Sequence, residues 1–237
     1  MGWLDGLVKK GVRNIRFDDE LFILSPKRVE QFCDMLIERR WRLNIWVYGR
    51  VDTVKPALLS KLKKAGINWI CLGIESANAI VRNGVNKQIH RDIRSVVKDI
   101  QAADIYVLGN YMLGLPEDSR DTMEETLKLA DDLNCEFANF YSVMALPGSG
   151  LYAEACEKGW LPPTWGGFSQ FSPDCQPLPT KHVSWQEVLK FRDEAFARHF
   201  SRPAYFSMIE QRFGPRTVSH IRKMLEIKVR RNIGSRW

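Results

Sequence analysis

Apolar positions recur along this chain with two alternating periods. Residues 3–10 read as a short helix stopped by Gly11, and residues 13–17 as a short strand running into Asp18, Asp19 and Glu20. Ser25 and Pro26 then open a helix, a capping residue followed by proline at the first helical position. Behind them Val29, Phe32, Cys33, Leu36 and Ile37 fall at the i, i+3, i+4, i+7, i+8 spacing of one amphipathic face. The same succession follows four more times. Strands near residues 15, 45, 70, 108 and 139 are each followed by a helical stretch. Such a run of βα units implies a parallel sheet with right-handed crossovers.

The unusual residues gather where the strands end. Asp19 and Glu20, Arg50 and Asp52, Glu75 and Ser76, Asn110 to Glu117, and Pro147 to Ser149 all lie at or just past a strand's carboxyl end. In a parallel sheet those ends share one rim, the usual place for ligands. Glu75 is the sharpest of them, because it interrupts the apolar run W-I-C-L-G-I-E-S, and a carboxylate so placed must be paired or bind something. An ion pair with Arg50 on the neighbouring strand is the purely structural alternative. In M-L-G-L-P, residues 112–116, Gly114 permits close backbone approach and Pro116 stiffens the exit.

After residues 150–158, read as a helix stopped by Gly159, comes a stretch of prolines and aromatics to residue 183, long enough to be a lid or substrate-facing loop. Its Trp160, Trp165, Phe168 and Phe171 predict packing onto the body rather than disorder. Ser184 and Glu187 form a capping box for a helix to about Phe200, and two further helices complete the chain. The expected organisation is therefore a half-barrel over 1–158, a packed loop over 159–183, and a helical extension with a basic tail over 184–237.

Composition narrows the class. The chain has 237 residues, 45% hydrophobic and 27% charged, the balance of an ordinary globular protein. No apolar run is long enough for a transmembrane helix, and the first residues lack the apolar core of a signal peptide, so the expected location is the cytoplasm. The five cysteines are scattered, with no C-x-x-C pair, which argues against a disulfide framework or a zinc knuckle. The net charge of +7 is unevenly placed. Residues 181–237 hold 13 Lys+Arg against 5 Asp+Glu, leaving 22 against 23 in the rest of the chain. A charge run of that kind reads as a solvated face or tail before it reads as a phosphate-binding patch.

Taken in order, several segments resemble the radical S-adenosylmethionine superfamily, in the branch associated with a cobalamin-binding domain. They are F-D-D-E-L-F at 17–22, R-V-D-T at 50–53, G-I-E-S at 73–76, M-L-G-L-P at 112–116, L-P-G-S-G-L-Y at 146–152 and F-R-D-E-A-F at 191–196. The resemblance spans about residues 10–200. It implies an incomplete parallel α/β half-barrel, a partial TIM-like barrel lacking its first βα unit, followed by an α-helical extension. It also implies S-adenosylmethionine at the rim. Glu75 and Ser76 would hold the ribose or amino-acid end, Asn110, Met112, Leu113 and Gly114 would line the adenine, and Arg50 would meet the methionine carboxylate. Tyr48, Tyr141, Ala145 and Pro147, with the aromatic loop, would face a partly apolar small-molecule substrate.

Two departures qualify the resemblance. Glu117-Asp118-Ser119 stands where the family commonly has Gly-Glu-Thr. The family's Cys-x3-Cys-x2-Cys motif, the ligand set of a 4Fe–4S cluster, is absent, and Cys33, Cys71 and Cys135 lack ligand spacing. The sequence therefore reads as the carboxyl-terminal part of a radical enzyme, inactive by itself, whose missing amino-terminal portion would carry the cluster and a cobalamin domain. Its parent would cleave S-adenosylmethionine to a 5′-deoxyadenosyl radical for hydrogen abstraction or, with cobalamin, methyl transfer. A degenerate half-barrel that binds S-adenosylmethionine or serves as a scaffold is the alternative. An RNA-directed methylthiotransferase is a third, disfavoured because helices rather than a small β domain follow the barrel, so nucleic acid is not an expected partner.

Overall fold

The computed structural model describes residues 1–233 of the chain. Five strands form one parallel sheet in sequence order: β1 (Asn14–Arg16), β2 (Asn44–Arg50), β3 (Ile67–Glu75), β4 (Tyr106–Leu113) and β5 (Phe137–Ser142). The helices are α1 (Gly2–Lys9), α2 (Pro26–Glu38), α3 (Pro56–Lys64), the short α4 (Ala79–Asn83), α5 (Ile93–Ala102), α6 (Arg120–Leu133) and α7 (Gly150–Lys158). Beyond them lie α8 (Trp185–Phe200), α9 (Pro203–Phe213) and α10 (Pro215–Glu226). The half-barrel with a helical extension is thus the observed class.

The chain forms two compact units. The first holds residues 1–74, 89–110 and 135–138, the second 75–88, 111–134 and 139–237. In the first unit β2 pairs in parallel with β1 (Ile15 with Ile45, Arg16 with Trp46) and with β3 (Trp46 with Trp69, Tyr48 with Cys71, Arg50 with Gly73). Strand side chains alternate between faces. Ile45, Val47 and Gly49 are buried, while Trp46, Tyr48 and Arg50 on the opposite face are half-buried. Gly49 is close enough to Ile23 that an added Cβ would sit 3.1 Å from its Cδ1. Val29, Cys33 and Leu36 of α2, Leu58, Leu59 and Leu62 of α3, and Val96, Val97 and Ile100 of α5 add to this core. Burial raises the Cys33 thiol to about 11, as befits a core residue rather than a nucleophile.

Two side chains the sequence did not single out hold the loops in place. Glu136, just before β5, is buried, and its carboxylate accepts from the Val107 amide (2.8 Å) and from Gln101 Nε2 (3.3 Å). In the second unit Asp118 does the same for the turn after β4. Its Oδ2 accepts from the amides of Gly114 (3.0 Å) and Leu115 (2.9 Å), and its Oδ1 from Thr122 Oγ1 (2.7 Å). Burial pushes its carboxyl above the ordinary value against the pull of those donors.

The aromatic loop is only partly what its composition predicts. Trp160 and Leu161 pack on a cluster of Val81, Leu115, Val143, Ala145, Ala155 and Leu178, and Gln170 bonds Ser142 through both its oxygen and its nitrogen. Trp165 and Phe171 are instead 75% and 68% exposed. Trp165 opens a single 3-10 turn, residues 165–168.

The basic segment is mostly a solvated face, with Arg212, Arg216, Arg222, Lys223, Lys228 and Arg230 exposed, but its end is tied to the body. Arg231 donates to Asp193 through Nε (2.8 Å) and Nη2 (2.9 Å), and to the Ser172 carbonyl through Nη1 (2.8 Å). Asn232 bonds the Pro173 carbonyl and the Asp174 carboxylate. The last residues of the segment, 234–237, lie outside the described residues.

Candidate rim site

The rim residues of the second unit begin where β3 gives way to α4. Glu75 ends the strand with φ +66°, a left-handed conformation that L-residues with long side chains adopt at a cost. That twist turns the chain so that Ser76 points inward. The Ser76 hydroxyl, fully buried, lies 3.1 Å from Thr126 Oγ1 of α6 and accepts from the Asn78 amide. Thr126 Oγ1 also accepts from the Ala77 amide at 3.0 Å. Asn78 then caps α4, and Arg82 donates to the carbonyls of Ser76 and Ala77. The turn is thus held from three sides, which is what a strained residue needs to persist.

The Glu75 side chain is 17% exposed and meets Lys87 Nζ at 3.2 Å. Lys87 is 47% exposed, so this pair is open to solvent competition and contributes little. A carboxylate with two oxygens and one such partner keeps capacity for a hydroxyl pair or an ammonium group.

The β4 side of the rim is more enclosed. Met112 is half-buried against the apolar cluster, and Leu113 is fully buried. Gly114 has φ +87°, and a Cβ there would come within 2.5 Å of Val188 Cγ1 on α8. The close approach that this glycine permits is therefore to a helix of the protein's own fold. On β5 and beyond, Tyr141 is 36% exposed, Pro147 is exposed, and Ala145 is buried at 3% within the same apolar cluster.

The first unit carries Tyr48, Arg50 and Asn110. Arg50 forms a two-point pair with Asp52 through Nε (3.1 Å) and Nη2 (3.2 Å), while Thr53 Oγ1 accepts from the Arg50 amide. The R-V-D-T segment is thereby a self-closed turn. Asn110 Nδ2 donates to Cys71 Sγ at 3.0 Å, and burial raises that thiol to about 11. The Tyr48 hydroxyl is also raised, by burial first and then by Cys71. Around Tyr48 and Cys71 the sheet face is aromatic, with the rings of Trp46 and Trp69 at 6.2 Å and those of Trp69 and Tyr106 at 4.9 Å.

A 4Fe–4S cluster does not fit these residues. Cys33 lies on α2, Cys71 on β3, Cys135 just before β5 and Cys175 in the stretch before α8, all four buried, and no group of three potential metal ligands exists among the described residues. No helix of the described residues is long and apolar enough to cross a membrane.

No family model matches the chain. An uncharacterized methyltransferase of Pyrococcus horikoshii is 24% identical over 195 residues, 81% of this chain and 42% of that protein. An anaerobic magnesium-protoporphyrin IX monomethyl ester cyclase of Rubrivivax gelatinosus is 30% identical over 146 residues, 59% of this chain and 26% of that protein. The chain thus spans well under half the length of these curated relatives. Among solved structures, the radical S-adenosylmethionine methyltransferase TsrM of Kitasatospora setae, with cobalamin and a [4Fe-4S] cluster bound, superposes with a TM-score of 0.60. That match covers 79% of this chain and 36% of the other at 16% identity. The fold of this chain is the half-barrel of the radical S-adenosylmethionine enzymes, cobalamin-dependent members among them.

Proposed function

We propose that this chain is the S-adenosylmethionine-binding part of a radical S-adenosylmethionine enzyme, with the cluster ligands supplied by chain beyond the sequence given. The observation that carries the reading is Glu75: a carboxylate held in a left-handed conformation at the end of a central strand, on the rim where this fold binds its cofactor. Strain of this sort is kept where the side chain it presents is useful. Glu75 would bind the ribose hydroxyls or the amino group, and Met112 would offer an apolar wall to the adenine. Bound S-adenosylmethionine supplies an adenosyl group for radical chemistry, and this chain's part is to orient it. The products of that chemistry, including any methyl transfer with cobalamin, belong to the whole protein.

Calorimetric titration with S-adenosylmethionine tests this. Wild type is expected to bind, Glu75→Gln to bind at least tenfold more weakly, and Lys87→Ala to bind as well or better because the competing ammonium is gone. Equal affinity in wild type and Glu75→Gln would remove Glu75 from the site, and no heat with wild type would leave the scaffold reading in its place.

Three arginines weigh against the RNA-directed reading, because they pair within the fold: Arg198 with Glu124, Arg202 with Asp131 and Arg231 with Asp193.

A further inference from the structure

The second unit contains a half-open cavity of about 350 Å³ between α8 and the segment that follows α10. Phe196, Ala197, Met224, Leu225, Ile227 and Val229 give it apolar walls, and Phe171 stands at its side. One wall, residues 227–229, is irregular chain, and it is tied down two residues later by the Arg231 contacts to Asp193 and Ser172. The cavity is thus built by a strap that the fold goes to some length to hold in place.

Its polar groups carry a surplus of positive charge. Asp193 is shared by Arg192 (2.8 Å) and Arg231 (2.8 Å), two guanidinium groups to one carboxylate, and the side chains of both arginines are more than nine-tenths buried. The two arginines hold the carboxyl below its ordinary range although burial pulls the other way. Arg192 uses Nε on the Phe140 carbonyl and Nη1 on Asp193, and its Nη2 is turned to neither. Lys228, an exposed side chain, adds a second cation at the edge of the cavity. A buried surplus cation favours an anion. An apolar chamber beside it favours a hydrocarbon body.

We propose that this cavity binds a single-chain carboxylate amphiphile, its hydrocarbon lying among Phe196, Met224, Leu225 and Val229 and its carboxylate meeting Arg192 Nη2 and Lys228 Nζ. At roughly 30 Å³ per water-sized group, the volume holds a body of about a dozen carbons. The proposal stands on these residues alone and does not depend on the rim site binding S-adenosylmethionine.

Dodecanoate, kept below its micelle concentration, is the probe. Calorimetry on the full chain should show one site per chain, with dodecanol at least tenfold weaker and dodecyltrimethylammonium not bound. Lys228→Glu should weaken dodecanoate at least tenfold, and Phe196→Trp, which fills the chamber, should abolish binding while circular dichroism and the melting midpoint show a folded protein. Absence of dodecanoate binding to wild type, equal affinity for the three probes, or unchanged binding in folded Phe196→Trp would each overturn the proposal.

Discussion

The hydroxyls of Ser76 and Thr126 lie 3.1 Å apart although 50 positions separate them in the chain. Both are fully buried, and Thr126 Oγ1 also accepts from the Ala77 amide. Replacing Thr126 by valine keeps the volume and strands two polar groups, which costs about 1–3 kcal/mol. In a double-mutant cycle, Ser76→Ala with Thr126→Val should cost clearly less than the two singles added together. Additive costs in urea unfolding would show that the pair is not a unit.

Gly114 has no room for a side chain. Its left-handed φ and the Val188 contact both oppose a Cβ, so Gly114→Ala should destabilise by about 2–4 kcal/mol. Pairing it with Val188→Ala should recover a good part of that loss. A Gly114→Ala protein as stable as wild type would mean that α8 can withdraw freely.

Glu75 separates stability from binding. Glycine adopts φ +66° without the left-handed penalty of about 1 kcal/mol. Glu75→Gly should therefore melt no lower than wild type while losing affinity for S-adenosylmethionine. A fall in the melting midpoint would show that the turn depends on the side chain and not merely on the backbone bend.

His199 predicts an acid-sensitive extension. The ring is fully buried, its Nδ1 is 2.7 Å from Asp131, and its Nε2 has no hydrogen-bond partner. Burial lowers its pKa below the ordinary 6.5, despite the pull of Asp131. The unfolded chain then binds the proton more readily than the folded one, so stability is full above about pH 6.5 and declines as the pH falls below it. Urea midpoints at pH 7.5 and 5.5 should differ for wild type and differ less for His199→Gln. An equal pH dependence in the two proteins would assign the effect elsewhere.

Periodicity was a sound guide wherever the controlling interactions are local. The helix at Gly150–Lys158 and the capping box at Ser184 and Glu187 are found where their patterns put them, because caps and glycine stops act within one turn. Glu75 stood out in sequence as a carboxylate in an apolar strand, but its left-handed conformation depends on Thr126 and Arg82, and no local pattern encodes those contacts. Asp118 was read only as part of Glu117-Asp118-Ser119, a departure from the family's Gly-Glu-Thr; its burial under two backbone amides depends on a turn that the spacing does not describe. The pairing of Arg231 with Asp193 bridges 38 positions, so a charge count could only report a basic tail. Trp165 and Phe171 show the reverse error, since aromatic content measures the capacity to pack and not its direction.

The order of the strands has a consequence for how the chain is made. Each strand of the sheet lies beside the one before it in sequence, so no strand must wait for a partner synthesised much later. During translation each later βα unit that emerges finds its neighbour already present, and the connection to be closed is one helix long, or two between β3 and β4. Growth of the sheet can therefore keep pace with the ribosome, with one exposed edge passed along from strand to strand until β5 is complete.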